Sequence, residues 1–286
     1  MAIYHCSIKI VSRGKGKSAV AAAAYRAGEL IKNEYDGITH DYTSKGGVVA
    51  RAILLPEYAP PEYQDRTTLW NAVEKIEKAK NAQLAREIEI GIPAELTYMQ
   101  QLNLVHEFVR KNFVDKGMCA DVCIHDKGDG NPHAHILLTM RPIEQDGTWG
   151  AKQRKEYTLD ENGNKIYDPI KRQYQCKSVP ATGWSEHSKV EEWRAAWAET
   201  ANHFLEQAGH AERIDHRSDE RQEIDIVPTV HLGVAAFQME RRGIVTERGD
   251  MNREAAVTNS EIRQLKVWIS KLRDWLKTEI ADKPPT

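Results

Sequence analysis

Two short runs of residues, joined by a tight turn, constrain the fold of this 286-residue chain more than any other feature. The runs CADVCIH and HAHILLT are each typical of a strand with one buried face. The seven residues between them, DKGDGNP, are rich in glycine and end on a proline, which predicts a turn. The sequence therefore predicts an antiparallel hairpin that carries His125, His133 and His135 on one face.

Three imidazoles gathered in this way form a candidate metal site. Side chains that face one another across antiparallel strands stand about 4.5–5.5 Å apart at Cβ, so three rings can bind one ion. Three neutral nitrogen ligands leave coordination positions open for water or substrate, as in catalytic metal sites. Two alternatives stay open at this point: strand histidines that only bond to backbone, and a structural zinc site completed by Cys123.

The rest of the chain supplies the other elements of an α+β sandwich. Residues 2–11 and 86–93 alternate as strands do, residues 33–50 favour a hairpin or a flexible arm, and residues 144–185 are polar and irregular. Helices are predicted over 18–32, 67–85, 97–116, 188–209 and 260–279. This order favours an antiparallel central sheet of four to five strands, with helices packed on one face and a C-terminal helical extension.

The parity of each strand assigns its polar side chains to the other face of the sheet. Since the apolar residues lie under the helices, the opposite face is expected to be open. We expect that face to carry His5, Glu87, Glu89, Asp121, His125, His133 and His135.

Composition narrows the class of protein. The first ten residues lack the pattern of a secretory signal, and no run of about twenty apolar residues occurs, so we expect a cytoplasmic protein without membrane insertion. Four cysteines fit a reducing compartment, and Cys119 and Cys123 are interpreted as free core thiols and not as half of a zinc knuckle. The net charge of −2 does not by itself favour a nucleic-acid partner, but residues 1–32 carry six basic side chains and one acidic one.

One tyrosine stands inside the alanine-rich helix that follows the first strand. In AAAAYRAGE, Tyr25 is surrounded by small residues and is followed by Arg26, with a basic turn upstream. A phenol in this position is either a core side chain that fills the space above small residues or an accessible nucleophile. The helix alone favours a core side chain. The histidine triad raises the alternative of an accessible nucleophile.

Three segments carry a family resemblance: AIYHCSIKIVSRGKGKSAVAAAAYRAGE, AREIEIGIP and ADVCIHDKGDGNPHAHILLT. Together they resemble the MobA/MobL relaxases of mobilisable plasmids, which belong to the HUH endonucleases; His133-Ala134-His135 is the histidine–hydrophobic–histidine element. The similarity continues through WRAAWAETANHFLEQAGHAERIDHRS and HLGVAAFQMERRGIVTERGDMNRE, and so spans nearly all of residues 1–255. It implies an HUH relaxase-like fold and a DNA-nicking activity.

The resemblance implies how the nick is made. Tyr25 matches the family's nucleophile, which attacks the scissile phosphate of single-stranded DNA and is left with a covalent 5′-phosphotyrosine that strand rejoining reverses. The three histidines match the ligands of a divalent metal ion. Mg²⁺ or Mn²⁺ is expected in function, although all-imidazole ligation binds Zn²⁺, Ni²⁺ or Cu²⁺ more tightly, so an ion seen in a crystal need not be the cellular one.

Further residues are expected to support this site. Glu87 matches an acidic position beside the triad, where it would orient a histidine or act as a base, and Glu89 is the weaker candidate. Arg26 and the cation would favour the phenolate, because a free phenol titrates at about pH 10. His5 is expected to hydrogen-bond. Cys123, where an aliphatic residue would be ordinary, departs from the family pattern and leaves open whether a thiol touches the site.

The expected partner is single-stranded or hairpin DNA at an origin of transfer, together with a conjugative coupling protein and accessory mobilisation proteins. DNA contacts are predicted for Arg13, Lys15, Lys17, Lys45, Lys152, Arg154, Lys155 and Arg172. Residues 1–226 are expected to form the nicking domain and residues 227–286 a helical extension. Alternative functions are an HUH-type rolling-circle replication initiator, a non-catalytic DNA-binding protein that keeps the fold, and a metallohydrolase that forms no covalent adduct.

Overall fold

A five-stranded antiparallel sheet forms the centre of the N-terminal part of the chain. The structure is a computed structural model that describes residues 4–128, 130–217, 227–230 and 232–281. The chain divides into two compact units, Met1–His216 and Arg217–Thr286. In chain order the elements are β1 (Cys6–Ser12), α1 (Ala19–Ala27), β2 (Leu30–Lys32), β3 (Thr39–Asp41), β4 (Val48–Leu54), α2 (Arg66–Ile76), β5 (Gln83–Gly91), α3 (Tyr98–Asn112), β6 (Ala120–His125), β7 (His133–Thr139), β8 (Gln153–Tyr157), β9 (Tyr167–Asp168), β10 (Gln173–Tyr174), β11 (Cys176–Pro180), α4 (His187–Gln207), α5 (Gly233–Arg241) and α6 (Glu247–Ala281).

The sheet has the strand order β1-β5-β7-β6-β4, with every pair antiparallel. β6 and β7 form the predicted hairpin, in which His125 lies opposite His133 and Cys123 lies opposite His135. β5 lies on the other side of β7 and pairs Glu87 with Leu137 and Glu89 with His135. The predicted antiparallel sheet and its hairpin are therefore confirmed, and the central strand β7 carries two of the three histidines.

One face of the sheet is covered by α3 and α4, as predicted. Ile88, Val122 and Ile136 point to this face and pack with Phe108 of α3 and Trp197 of α4 in one buried cluster. Each side chain of this size contributes roughly 1.5–3 kcal/mol when it is fully buried. α3 begins where Thr97 and Gln100 form a reciprocal capping box. This apolar layer fixes the sheet and thereby the parity of every polar residue on the other face.

The face that was expected to be open is partly covered by α1 and α2. Asp121 is 2% exposed, and its carboxylate accepts hydrogen bonds from Arg66 Nε at 2.8 Å, Arg66 Nη2 at 2.8 Å and Trp70 Nε1 at 2.9 Å. Leu137, on the same face, joins a second apolar cluster with residues of α1 and α2. Strand parity assigned these residues to the correct face. That face can still be buried, because Arg66 of α2 neutralises the Asp121 carboxylate.

Two helices end earlier than predicted, and the structure contains strands that were not predicted. α1 ends at Ala27 and not at residue 32, because Gly28 adopts a left-handed conformation with φ 63° and the chain turns into the β2–β3 hairpin. α2 ends at Ile76, nine residues before the predicted end at 85, and β5 begins at Gln83. The segment 144–185, expected to be irregular, contains two ladders, β8 with β11 and β9 with β10.

The C-terminal unit is helical. α6 runs over Glu247–Ala281 and is longer than the predicted helix at 260–279. Apolar side chains of α6 such as Leu265 and Trp268 are 62% and 73% exposed. Across the residues that the structure describes, no helix combines the length and the apolar character that a membrane crossing requires.

Candidate metal and nucleophile site

The three histidines of the β6–β7 hairpin converge as predicted. The ring centroids of His125, His133 and His135 lie between 4.8 and 5.4 Å apart in each pair. One ligand atom from each ring falls within 4.8 Å of the other two, so the set is able to hold a metal ion. The hairpin register, with His125 opposite His133, brings the rings together from two neighbouring strands.

Each ring has one nitrogen fixed by an oxygen acceptor. His125 Nε2 lies 2.7 Å from the carbonyl of Arg26, His133 Nδ1 lies 2.9 Å from the carbonyl of Asn131, and His135 Nδ1 lies 3.2 Å from Glu87 Oε1. Carbonyl and carboxylate oxygens only accept, so these nitrogens donate and the second nitrogen of each neutral ring keeps its lone pair. Metal-binding histidines are oriented by such contacts.

The surroundings of His125 favour its neutral imidazole, which is the form that binds a metal ion. Burial lowers the pKa of this imidazole to about 4; the hydrogen bond with the Arg26 carbonyl opposes this shift, and the positive charge of Lys45 adds to it. His125 is therefore neutral at pH 7, as a metal ligand must be. The three oriented imidazoles fit a divalent transition ion, which imidazole nitrogens bind well.

Glu87 links the triad to the helix that carries Tyr25. Its Oε1 accepts from His135 and from Arg26 Nε at 2.6 Å, and the Arg26 Nη2 group completes the ion pair. Burial alone would raise the pKa of Glu87, but the hydrogen bonds from His135 and Arg26 outweigh it and hold that pKa at about 2. The carboxylate is thus ionised, and Arg26, whose Nη1 also donates to Ala22 O at 2.8 Å, faces Glu87.

Glu89 and His5 lie at the outer edge of the same face. Glu89 approaches His5 Nε2 at 3.7 Å and Lys9 Nζ at 3.3 Å, and both of these partners are more than half exposed. Glu87, Glu89 and His135 also form a second group whose ligand atoms lie close enough for an ion. Because Glu87 already pairs with Arg26, the three-histidine group is the better candidate.

Tyr25 lies on α1, one residue before the Arg26 carbonyl that contacts the triad. The side chain is 50% exposed, and the next residue, Arg26, supplies the carbonyl that His125 contacts. Lys45 Nζ stands 3.9 Å from the centroid of the Tyr25 ring and donates to the Tyr25 carbonyl at 2.9 Å. The ring of Tyr42 meets the Tyr25 ring edge-on, at a centroid distance of 5.1 Å. The Tyr25 phenol is therefore exposed, on the helix whose Arg26 carbonyl contacts His125.

The N-terminus of α1 is held by a residue that the sequence pattern did not single out. Glu74 of α2 is 2% exposed and accepts from the backbone N–H of Ala19 at 2.7 Å, next to the Ser18 cap. Arg13 Nη2 pairs with the same carboxylate at 2.6 Å and donates to Glu74 O at 3.0 Å, while Arg13 Nη1 donates to Ala79 O, just beyond α2, at 3.1 Å. Glu74 was missed because its partners lie 55 to 61 positions away in the chain.

The residues predicted to contact DNA fall into two groups. Arg13 has the contacts just described, and Lys152 Nζ pairs with Glu77 at 2.8 Å and donates to Gln83 O at 2.6 Å. Both of these cations are tied to the protein, which gives them a structural role, and their contact with DNA stays a prediction. The remaining side chains are exposed, except for Lys45, which is half-buried: Lys15, Lys17, Lys45, Arg154, Lys155 and Arg172.

The buried cysteines are thiols. Cys119 and Cys123 are free, and burial raises the pKa of each to about 12. Cys123 Sγ lies 3.8 Å from Asp121 Oδ1, on the α2 side of the histidines. The described groups able to hold a metal contain no cysteine, so the interpretation as core thiols stands.

Comparisons with known proteins point to one family. The family model described as the MobA/MobL family matches residues 17–242. The chain is 38% identical over 298 aligned positions to "Probable mobilization protein MobA" of Bifidobacterium longum, an alignment that covers 99% of this chain and 52% of that protein. It is also 38% identical to "Mobilization protein MobL" of Acidithiobacillus ferridurans, over 89% of this chain and 68% of that protein.

Two further comparisons extend this pattern. "Conjugal transfer protein TraA" of Agrobacterium fabrum is 39% identical over 85% of this chain, but the match covers only 22% of that longer protein. A solved structure described as "Molecular Basis of Vancomycin Resistance Transfer in Staphylococcus aureus" aligns with a TM-score of 0.64 and 32% identity, over 76% of this chain and all of that one. The chain thus spans about half the length of the Bifidobacterium relative and less than a quarter of TraA.

Proposed function

Because this chain belongs to the MobA/MobL family, we propose that it is a plasmid mobilisation relaxase of the HUH type, which nicks one strand of DNA at an origin of transfer. Relatives named as mobilisation and conjugal transfer proteins support the role. The observation that carries the chemistry is the 2.7 Å contact between the Arg26 carbonyl and His125 Nε2, which joins the helix of Tyr25 to the histidine triad.

The proposed step is a transesterification at phosphorus. Tyr25 Oη forms a bond to the scissile phosphorus while the bond from phosphorus to the 3′ oxygen breaks, and the departing oxygen takes up a proton as the phenol loses one. The products are a free 3′-OH and a 5′ end esterified to Tyr25. The ester conserves the phosphodiester bond, so attack by a 3′-OH rejoins the strand and restores the phenol.

The chain's own residues orient this reaction. His125, His133 and His135 would hold a divalent cation, which when bound polarises the scissile phosphate and offsets the negative charge that builds up on it. Glu87 fixes the ring of His135 and, through its ion pair, the side chain of Arg26. We therefore assign Glu87 and Arg26 to positioning: they hold the triad and the nucleophile helix in register.

DNA would reach the site along exposed cations. Lys15 and Lys17 precede α1, and Arg154 and Lys155 lie on β8. Such side chains bind phosphates without regard to sequence, so they contribute affinity and salt dependence. The expected partner is single-stranded or hairpin DNA, and a coupling protein and accessory mobilisation proteins would act with the complete transfer machinery.

The test is formation of a covalent protein–DNA adduct. The full chain is incubated with Mn²⁺ or Mg²⁺ and 5′- and 3′-labelled single-stranded oligonucleotides that tile the DNA flanking its coding sequence. We expect a denaturation-resistant protein–DNA band that carries the 3′ label, and its loss on addition of EDTA. Cleavage without any adduct would contradict the proposal and favour a metal-dependent hydrolase.

The nucleophile is identified by a pair of matched variants. Tyr25→Phe removes one hydroxyl and should abolish the adduct. Tyr42→Phe removes the hydroxyl of the ring that packs on Tyr25 at 5.1 Å and keeps that contact, so it should still form the adduct. An adduct that survives Tyr25→Phe and disappears with Tyr42→Phe would move the nucleophile to the neighbouring residue.

A further inference from the structure

A short turn after β3 places two side chains, those of Tyr42 and Lys45, against the ring of Tyr25. Lys45 Nζ lies 3.9 Å from the centre of one face of the ring, and the Tyr42 ring meets it at an interplanar angle of 86°. The Lys45 ammonium also donates to the Tyr25 backbone carbonyl at 2.9 Å. One lysine therefore contacts both the backbone and the ring of the same tyrosine.

These contacts restrict a side chain that would otherwise be mobile. The Tyr25 ring is 50% exposed, and half-exposed aromatic rings on a helix exchange between rotamers unless something holds them. An ammonium over the ring face and an aromatic edge against it are both favourable contacts for a phenol. The pair therefore limits the directions in which the Tyr25 hydroxyl points.

The turn is itself built to a fixed position. Lys45 N–H donates to Tyr42 O at 2.9 Å, and Tyr42 N–H donates to Glu29 O at 3.2 Å, just beyond α1. Asp41 Oδ1 accepts from the backbone N–H of Thr43 at 3.0 Å. A Cβ at Gly28 would meet the carbonyls of Lys45 and Tyr42 at 3.4 and 3.6 Å, so the turn lies directly against the end of the nucleophile helix.

We propose that Lys45 and Tyr42 form a clamp that holds the Tyr25 phenol in the orientation for attack, which makes Lys45 a positioning residue. The clamp rests on the proposed function, since it concerns the same nucleophile. The alternative role for Lys45 is a contact with a DNA phosphate, which would contribute to DNA affinity and would not orient the phenol. The burial of Lys45 between the Tyr25 ring and its carbonyl favours the clamp, because both partners of the ammonium are protein groups.

Kinetics distinguish the two roles. Lys45→Met keeps the aliphatic stem and removes the charge, Lys45→Arg keeps a cation, and Lys111→Met removes an exposed lysine of α3 on the other face of the sheet. At saturating DNA, the single-turnover rate of adduct formation should fall roughly threefold to thirtyfold in Lys45→Met, the range that the loss of a cation–π contact gives. Lys45→Arg should recover most of the rate, and Lys111→Met should match the wild type. A changed Kd and salt dependence with an unchanged rate would overturn the clamp and leave a phosphate contact.

A second readout does not need DNA cleavage. The chain is labelled with 3-fluorotyrosine, and Tyr25→Phe assigns the Tyr25 ¹⁹F resonance. Lys45→Met should shift that resonance and sharpen it as the ring becomes mobile, while Lys111→Met leaves it in place. If the wild type forms no adduct but the resonance responds, the proposed function fails, and what remains is a restraint of the Tyr25 ring by Lys45 that serves no nicking reaction. If the wild type nicks DNA and neither resonance nor rate responds to Lys45→Met, the clamp is wrong.

Discussion

The buried carboxylate of Glu87 provides the sharpest quantitative prediction. It is 6% exposed, and one oxygen accepts from both Arg26 Nε at 2.6 Å and His135 Nδ1 at 3.2 Å. Glu87→Gln keeps the size and one acceptor oxygen but removes the charge. Arg26, whose side chain is 14% exposed, then loses its paired anion within the protein. Such a change should lower the stability of the metal-free protein in a way that depends on pH.

The size of the effect follows from the pKa. A Glu87 pKa of about 2, against an ordinary 4.5, corresponds to roughly 3 kcal/mol of folding free energy at neutral pH. Because the folded-state pKa is the lower one, this stabilisation is complete above the unfolded value and is lost as the pH falls towards 2. The difference between wild type and variant should therefore be about 3 kcal/mol at pH 7 and less than half of that at pH 3.

Urea denaturation in EDTA at the two pH values measures this difference. Glu89→Gln is the matched control, since the pKa of Glu89 is also lowered to about 2, chiefly by its hydrogen bond with His5. The partners of Glu89, His5 and Lys9, are more than half exposed, so solvent screening should limit the cost to less than about 1 kcal/mol. Equal losses in the two variants, or a Glu87→Gln loss that does not change with pH, would refute the assignment of a buried ion pair.

Three other outcomes are expected. Asp121→Ala leaves the buried Arg66 without its bidentate partner and should cost roughly 3–5 kcal/mol by urea denaturation; a double variant Asp121→Leu with Arg66→Met should cost clearly less. At pH 8, a maleimide should label the exposed Cys176 quickly and the buried Cys123 only after unfolding, because burial raises the pKa of Cys123 to about 12; fast labelling of both would contradict this burial. Mn²⁺ at a hundredfold excess over its Kd should raise the Tm of wild type by roughly 5–10 °C, and His133→Ala should lose this shift; an equal shift in the variant would place the ion elsewhere.

Local periodicity predicted most of the site. Strand parity alone placed Glu87, His125 and His135 on one face, because side chains of a strand alternate strictly and a hairpin fixes the partner strand. The family resemblance then led to the proposal of Tyr25 as the nucleophile, which the helix alone did not decide and which stays a prediction. These features depend on residues close in sequence, and for that reason they were accessible before the structure.

Features that depend on long-range pairing were not predictable in this way. The pair of Arg66 with Asp121 joins residues 55 positions apart and covers a face that parity described as open. Arg13 was expected to contact DNA, but its position against Glu74 depends on how α2 packs beside the turn. The contact of Lys45 with Tyr25 depends on a β2–β3 hairpin that exists because Gly28 ends α1 early. A basic residue in a sequence does not indicate which acidic or aromatic side chain will meet it.

A cation held by the triad must lie close to the phenol of Tyr25 if the two act in one reaction. Mn²⁺ is paramagnetic, and it broadens the ¹⁹F resonances of nearby fluorotyrosines far more than those of distant ones. Titration of the 3-fluorotyrosine protein with Mn²⁺ should broaden the Tyr25 resonance first, before that of Tyr58, whose hydroxyl lies next to Gly117 at the end of β6 away from His125. The effect should vanish in a His133→Ala/His135→Ala variant. A Tyr25 resonance that stays sharp while Mn²⁺ binds to the intact triad would show that the ion and the phenol are too far apart for nicking.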